Sequence, residues 1–364
     1  MGTDIVGSFL APSALQEARD KYHEGKISLS QLKEAEDAAI VLLVDRQIAS
    51  GQNEVTSGEI RREYWDKDFY FGLNGIEKFR LTTGRVYQVT ETDKDLMKIT
   101  GRISFNPSHP FFDDFQYLMR VAKGRARCRQ SLPSPSNLLM EIIVETDGHP
   151  EKIYPWTDAP DADIAEAYNK TIRHFYSLGC RSIQLDDTAC GRLCQNDFAK
   201  RRLLEGTDIV ELHERIVKLL NESIKDLPDD MDCSLFLSGG DVVVPEWESI
   251  AFPDNIMPKI LSRVNVGKFY LPMDVDNDYQ FEILRHVPPG KKVTLGLTDA
   301  HSPYSDDLER VEKRMREVSK RFPSLRFSVS PRTGFKLSSY LERGLTYESQ
   351  WEKLGQMAGR WQME

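Results

Sequence analysis

The chain has 364 residues, enough for one large α/β barrel or two ordinary domains with a substantial core. Apolar residues make up 40% and charged residues 29%. No apolar run approaches the roughly 20 residues of a membrane helix and no signal-peptide pattern opens the chain, so a soluble cytoplasmic protein with no membrane partner is expected. The net charge of −9 argues against a nucleic-acid partner, which would need a basic face.

Five cysteines (Cys128, Cys180, Cys190, Cys194, Cys233) form an odd set without a CxxC pair, which predicts free, structural thiols.

Thr3 to Phe9 is a short apolar run broken by Gly7-Ser8, as in a first strand ending in a tight loop whose backbone can approach a ligand. Ser28 and Gln31 have capping-box spacing, and Leu32, Ala35, Ala39, Leu42, Leu43 and Ile48 recur at helical intervals up to Gly51. A short strand at Glu54 then meets Ser57-Gly58 and a burst of charge. Glu59 there reads either as the favourable acid of a helix start or as a ligand-binding carboxylate. Alternation through Arg85 to Phe105 predicts a β-hairpin insertion. Phe111 to Val121 reads as a helix, Cys128 to Leu132 as a strand, and Pro133-Ser-Pro-Ser as a loop.

A helix from Asp161 runs to Gly179 and feeds the stretch CRSIQLDDTACGRLC (Cys180 to Cys194). An apolar run that ends in Asp186 and Asp187 suits a buried parallel strand delivering acids to the mouth of an α/β fold; a surface turn with two solvated aspartates is the alternative. The pattern repeats downstream. Strands at Cys233 to Leu237, Lys268 to Leu271, Val293 to Leu297 and Leu325 to Val329 each end in a polar loop, and the first three of those loops carry Ser238 with Asp241, Asp276, and Asp299 with His301. Helix and strand alternation with about eight strands predicts a single (β/α)₈ TIM barrel over residues 1–364, with the hairpin inserted at about 85–105.

These motifs carry a resemblance. VGSF, SGEIRREYWDKDF, the PSPS loop, GCRSIQLDDT with RLC, TDAHSP and SPRTGF, in that order, resemble the cobalamin-independent methionine synthase family in its short form, whose barrel is related to that of uroporphyrinogen decarboxylase. The resemblance implies that a homocysteine-like amino acid is held by the loop of Gly7 and Ser8, by Glu59 and by Asp186, and that His301 lies at the position of a proton donor. It also implies a zinc ion that turns a thiol into a thiolate. Its histidine, two cysteines and glutamate align here with Phe236, Ser238, Pro272 and Thr333, none of which supplies a soft thiolate or imidazole donor. Strand alternation points Cys233 away from Phe236 and Ser238, so it does not replace them.

Three functional readings follow. The first is a metal-free enzyme, without a cofactor, using acid–base chemistry (elimination, isomerisation or cyclisation) on a small amino-acid-like substrate. His301 with Asp299 moves a proton, Asp186 and Glu59 orient the substrate, Asp187 stands behind them or serves as a second catalytic base, and Phe236, Ser238 and Asp241 line the pocket. The second is methyl transfer from folate or another donor to a thiol. The third is a noncatalytic small-molecule binder. Monomer and homodimer are equally compatible with the sequence.

Overall fold

A computed structural model describes residues 2–80, 86–87, 90–91, 95–145, 152–155, 160–194, 208–238, 256–336 and 344–361. Barrel strands are labelled β1 (Gly2–Thr3), β2 (Glu54–Val55), β3 (Arg127–Cys128 continuing as Gln130–Pro133), β4 (Ser182–Asp187), β5 (Asp232–Leu237), β6 (Lys268–Pro272), β7 (Lys292–Thr298) and β8 (Arg326–Pro331). Seven of them form one sheet in the order β1-β8-β7-β6-β5-β4-β3, with parallel registers such as Thr3↔Val329 and Phe236↔Asp186. β2 pairs in parallel with the first piece of β3. Phe9 N–H, beyond β1, donates to Gly58 O, beyond β2, at 3.0 Å. The ring is a (β/α)₈ barrel, as the alternating pattern predicted.

Strands β4 to β7 are covered on both faces and are buried along nearly their whole length. Outward positions such as Ile183, Leu185, Cys233, Leu235, Phe269, Leu271, Val293 and Leu295 join one large core against the surrounding helices. Phe236 and Tyr270, on inward positions of β5 and β6, form a separate small apolar cluster with Val6 of the loop after β1. All five cysteines are buried thiols outside any disulfide.

Several boundaries differ from expectation. Regular pairing in the first strand stops at Thr3, because the chain turns at Gly7, whose φ is +67°. No helix starts at Glu59; residues 58–61 form a turn and only Lys67–Tyr70 is helical. The inserted ribbon pairs Asn74–Arg80 with Asp95–Ser104 in antiparallel fashion, so it begins upstream of Arg85. Its first strand is mostly exposed and lacks the alternation that reveals a half-buried strand. The expected PSPS loop shrinks to Ser134, because Pro133 ends β3 and Pro135 opens a helix to Glu145, where the fixed φ of proline suits a first turn.

Other signals read through directly. Helix Leu29–Ala49 starts in a reciprocal Ser28/Gln31 capping box, and helix Tyr347–Trp361 buries Leu354, Met357 and Trp361. No described helix is long and apolar enough to cross a membrane.

Candidate active site

The barrel interior is built in tiers by alternation along the strands. Towards the N-terminal end of the barrel lies an ionic tier. Arg129, 1% exposed, donates to Asp4 Oδ1 at 2.9 Å and to Glu54 Oε2 at 3.3 Å, and also bonds the Tyr270 hydroxyl. Lys268 pairs with Asp4. Burial alone would raise the Asp4 pKa, but the Arg129 and Lys268 charges bring it down to about 2. Tyr270 links this tier to the next, because its ring packs with Val6 and Phe236 beneath the mouth. Nothing in the local motifs marked the ionic tier. Its signal was the spacing of Arg129 two residues before Ser131, on the same strand face.

Above that floor the acids converge. Glu59 follows Gly58, and both adopt left-handed backbone, with φ of +58° and +63°; a non-glycine residue held there stores local strain. Its Oε1 accepts from Ser131 Oγ at 3.2 Å and lies 3.3 Å from Arg62 Nη1. Arg62 is itself anchored on the Ser131 carbonyl at 2.6 Å. Asp186 projects from the end of β4, 6% exposed, and Gln184 Nε2 donates to its Oδ1 at 2.6 Å. Burial first, and the Glu59 charge second, push the Asp186 pKa up to about 7, against the Gln184 hydrogen bond and the Arg62 and Arg129 charges.

Opposite β4 in the ring, the loops after β7, β8 and β1 meet. Gly7 and Gly334 pack so closely that a Cβ on Gly334 would lie 2.4 Å from Ser8 N, and Phe335 N–H donates to Ser8 O at 2.7 Å. Ser8 is buried there. His301 Nε2 lies 2.9 Å from Gly334 O and 3.2 Å from Thr333 Oγ. A carbonyl oxygen only accepts, so Nε2 carries a proton, and when the ring is neutral Nδ1 is its basic nitrogen. The Asp299 carboxylate accepts from the backbone N–H of His301 at 2.8 Å and of Ser302 at 3.3 Å, which makes it the shaper of this turn.

The expected neighbour acid, Asp187, belongs elsewhere. Alternation turns it outward, fully buried, where it accepts from the hydroxyls of Ser134 (2.6 Å) and Ser136 and from Cys190 N–H at 2.8 Å. It clamps the loop after β3 to the chain after β4, and Asp186 finds its acidic neighbour in Glu59. Phe236 and Ser238 end β5 on its inward face, both buried. Asp241 lies outside the described residues.

The four positions aligned with the zinc ligands do not fit that ion. Phe236 offers a ring packed on Val6 and Tyr270, Pro272 offers no donor, and Ser238 and Thr333 offer neutral hydroxyls. Cys233 sits in the outer core, on the other side of β5 from Phe236. Among the described residues, no group of three or more His, Cys, Asp or Glu side chains is placed to hold a metal ion.

No protein-family model matches the chain. It is 32% identical over 355 residues to the uncharacterized protein YxjH of Bacillus subtilis (strain 168), across 96% of this chain and 91% of that one. It is 22% identical over 355 residues to the methionine synthase of Saccharolobus solfataricus, across 95% and 90% of the two chains. The putative vitamin-B12 independent methionine synthase from Listeria monocytogenes superposes with a TM-score of 0.74 at 28% identity, across 99% of this chain and 97% of that one. The B12-independent methionine synthase from Shewanella sp. W3-18-1, solved in complex with selenomethionine, shares the fold with a TM-score of 0.66 at 16% identity, across 99% and 98%. The chain belongs to the cobalamin-independent methionine synthase family, as a divergent member alongside YxjH.

Proposed function

We propose that the chain is a methionine-synthase-like barrel enzyme that works without zinc, on a small amino-acid-like molecule of the methionine type. The observation that carries the reading is the pairing of Asp186 with Glu59 in a buried mouth, beside strand ends whose side chains do not suit a metal. Two buried carboxylates call for a cation, and the ammonium of an amino acid supplies one. Selenomethionine bound to the Shewanella relative supports that ligand class. Phe236 and Val6 give an apolar floor for a short chain, and the N–H groups of the Ser8 loop suit a carboxylate.

In this reading Glu59 and Asp186 orient the ammonium. His301 Nδ1, across the mouth, takes or returns a proton on the substrate, while Thr333 and Gly334 hold the ring through Nε2. Proton transfer of this kind serves elimination, isomerisation or cyclisation. It does not generate a thiolate, because a free thiol near pKa 8.5 is only a few per cent ionised at neutral pH without a metal.

Titration calorimetry with L-methionine and L-homocysteine tests the binding step. A cation placed on Asp186 forces it to ionise, so binding near pH 7 releases on the order of half a proton. The observed heat then changes with the ionisation enthalpy of the buffer, and D186N abolishes that dependence. Mass spectrometry of the incubated ligands reads turnover. Methionine formed from methyl-folate and homocysteine by protein carrying one zinc per chain would replace this reading with methyl transfer. Binding without chemical change would leave a binder.

A further inference from the structure

Gln184 lies one inward position below Asp186 on β4 and is 1% exposed. Its amide nitrogen is committed to Asp186 Oδ1 at 2.6 Å, which fixes the amide orientation: a flip would set the carbonyl oxygen against the carboxylate. The carbonyl Oε1 is therefore left open, buried and without a hydrogen-bond partner among the described residues. A buried acceptor of this kind is costly to leave unfilled.

Its surroundings say what would fill it. Gln184 is in register with Ser131 on β3, and Ser131 Oγ holds Glu59 Oε1 at 3.2 Å. On the other side it is in register with Ser234 of β5, whose hydroxyl is turned onto the Ile183 carbonyl at 3.1 Å. Two hydrogen-bonded pairs, Glu59 with Ser131 and Asp186 with Gln184, thus stand on neighbouring strands in register at Ser131 and Gln184, with two carboxylates and one open amide oxygen between them.

We infer that Gln184 Oε1 is the third acceptor of a primary-ammonium subsite, taking one N–H of the ligand while Asp186 and Glu59 take the other two. This rests on the amino-acid reading above and extends it to a specificity rule: the subsite takes an –NH₃⁺ group, with three donors, over secondary and tertiary amines. Charge alone would accept all of these, whereas an uncharged acceptor rewards only the donor.

The test is a cycle between ligand and protein. L-methionine, N-methyl-L-methionine and N,N-dimethyl-L-methionine are titrated into wild type and Gln184→Met, with circular dichroism confirming the fold of the variant. Wild type is expected to weaken at least about tenfold over the series, and Gln184→Met to bind L-methionine at least about tenfold more weakly with a smaller further loss on methylation. An equal weakening for all three ligands would make Gln184 a mere support of Asp186, and unchanged binding would mean that Oε1 faces an internal water; either overturns the inference and leaves the amino-acid reading standing. Failure of wild type to bind any of the three overturns both.

Discussion

Adjacent carboxylates at the end of β4 have opposite duties, and their substitution separates them. Asp187 is fully buried and receives three hydrogen bonds, from two serine hydroxyls and one backbone N–H. Asp187→Ala strands those donors in the core, and we expect a loss of about 3 kcal/mol in denaturant unfolding. Asp186→Asn removes a carboxylate whose charge is penalised by burial and by Glu59, keeps an oxygen for Gln184, and should stabilise the protein while weakening, but not abolishing, ligand binding. Equal destabilisation by both would refute this division. The pair of aspartates was legible in the sequence as a strand delivering acids. Which one faces the mouth follows from the alternation of two, counted from the buried Ile183 and Leu185. Glu59 was legible as a candidate, but its left-handed backbone was not, since no local rule places a glutamate at positive φ.

At the level of elements, the site depends on loops from opposite ends of the chain meeting at Gly7 and Gly334. The strand ends were readable because each apolar run stops at a polar loop. The contact between the first and last loops was not, because it depends on ring closure between β1 and β8. The helix after β3 was missed for a related reason: Pro133 and Pro135 mark a break, and the signal that a helix follows lies in the apolar run beyond them. Gly334→Ala places a methyl group 2.4 Å from Ser8 N and 2.7 Å from Ser8 Oγ, both in a packed loop. We expect ligand affinity to fall at least about tenfold with the global fold retained, since displacement of a binding loop by a few tenths of an ångström is felt mainly at the site. Gly355→Ala, on the C-terminal helix with nothing within 4 Å of the new Cβ, serves as the contrast and should stabilise by about 0.5–1 kcal/mol.

Over the whole molecule, burial of titratable groups gives folding a pH dependence with terms of opposite sign. The Asp186 pKa is raised from 3.8 to about 7 by burial and Glu59. The folded state therefore holds a proton that the unfolded state has lost, and its contribution to stability is full below about pH 4 and disappears as pH rises through about 7. His109 runs the other way. It caps helix Pro110–Ala122 through Nδ1, while Nε2 bonds Phe69 O at 2.9 Å; burial lowers its pKa from 6.5 to about 4. Its contribution is full above about pH 6.5 and disappears as pH falls through about 4. The two variants should thus show mirror-image profiles in thermal melts between pH 4.5 and 8. The advantage of Asp186→Asn over wild type grows with pH towards a few kcal/mol, while the deficit of His109→Asn is largest at pH 8 and shrinks on acidification. A pH-independent advantage for Asp186→Asn would mean that the carboxylate is ionised throughout. A mouth built on an acid poised near neutrality would then be the wrong picture of this barrel, whatever the effect of the substitution on binding.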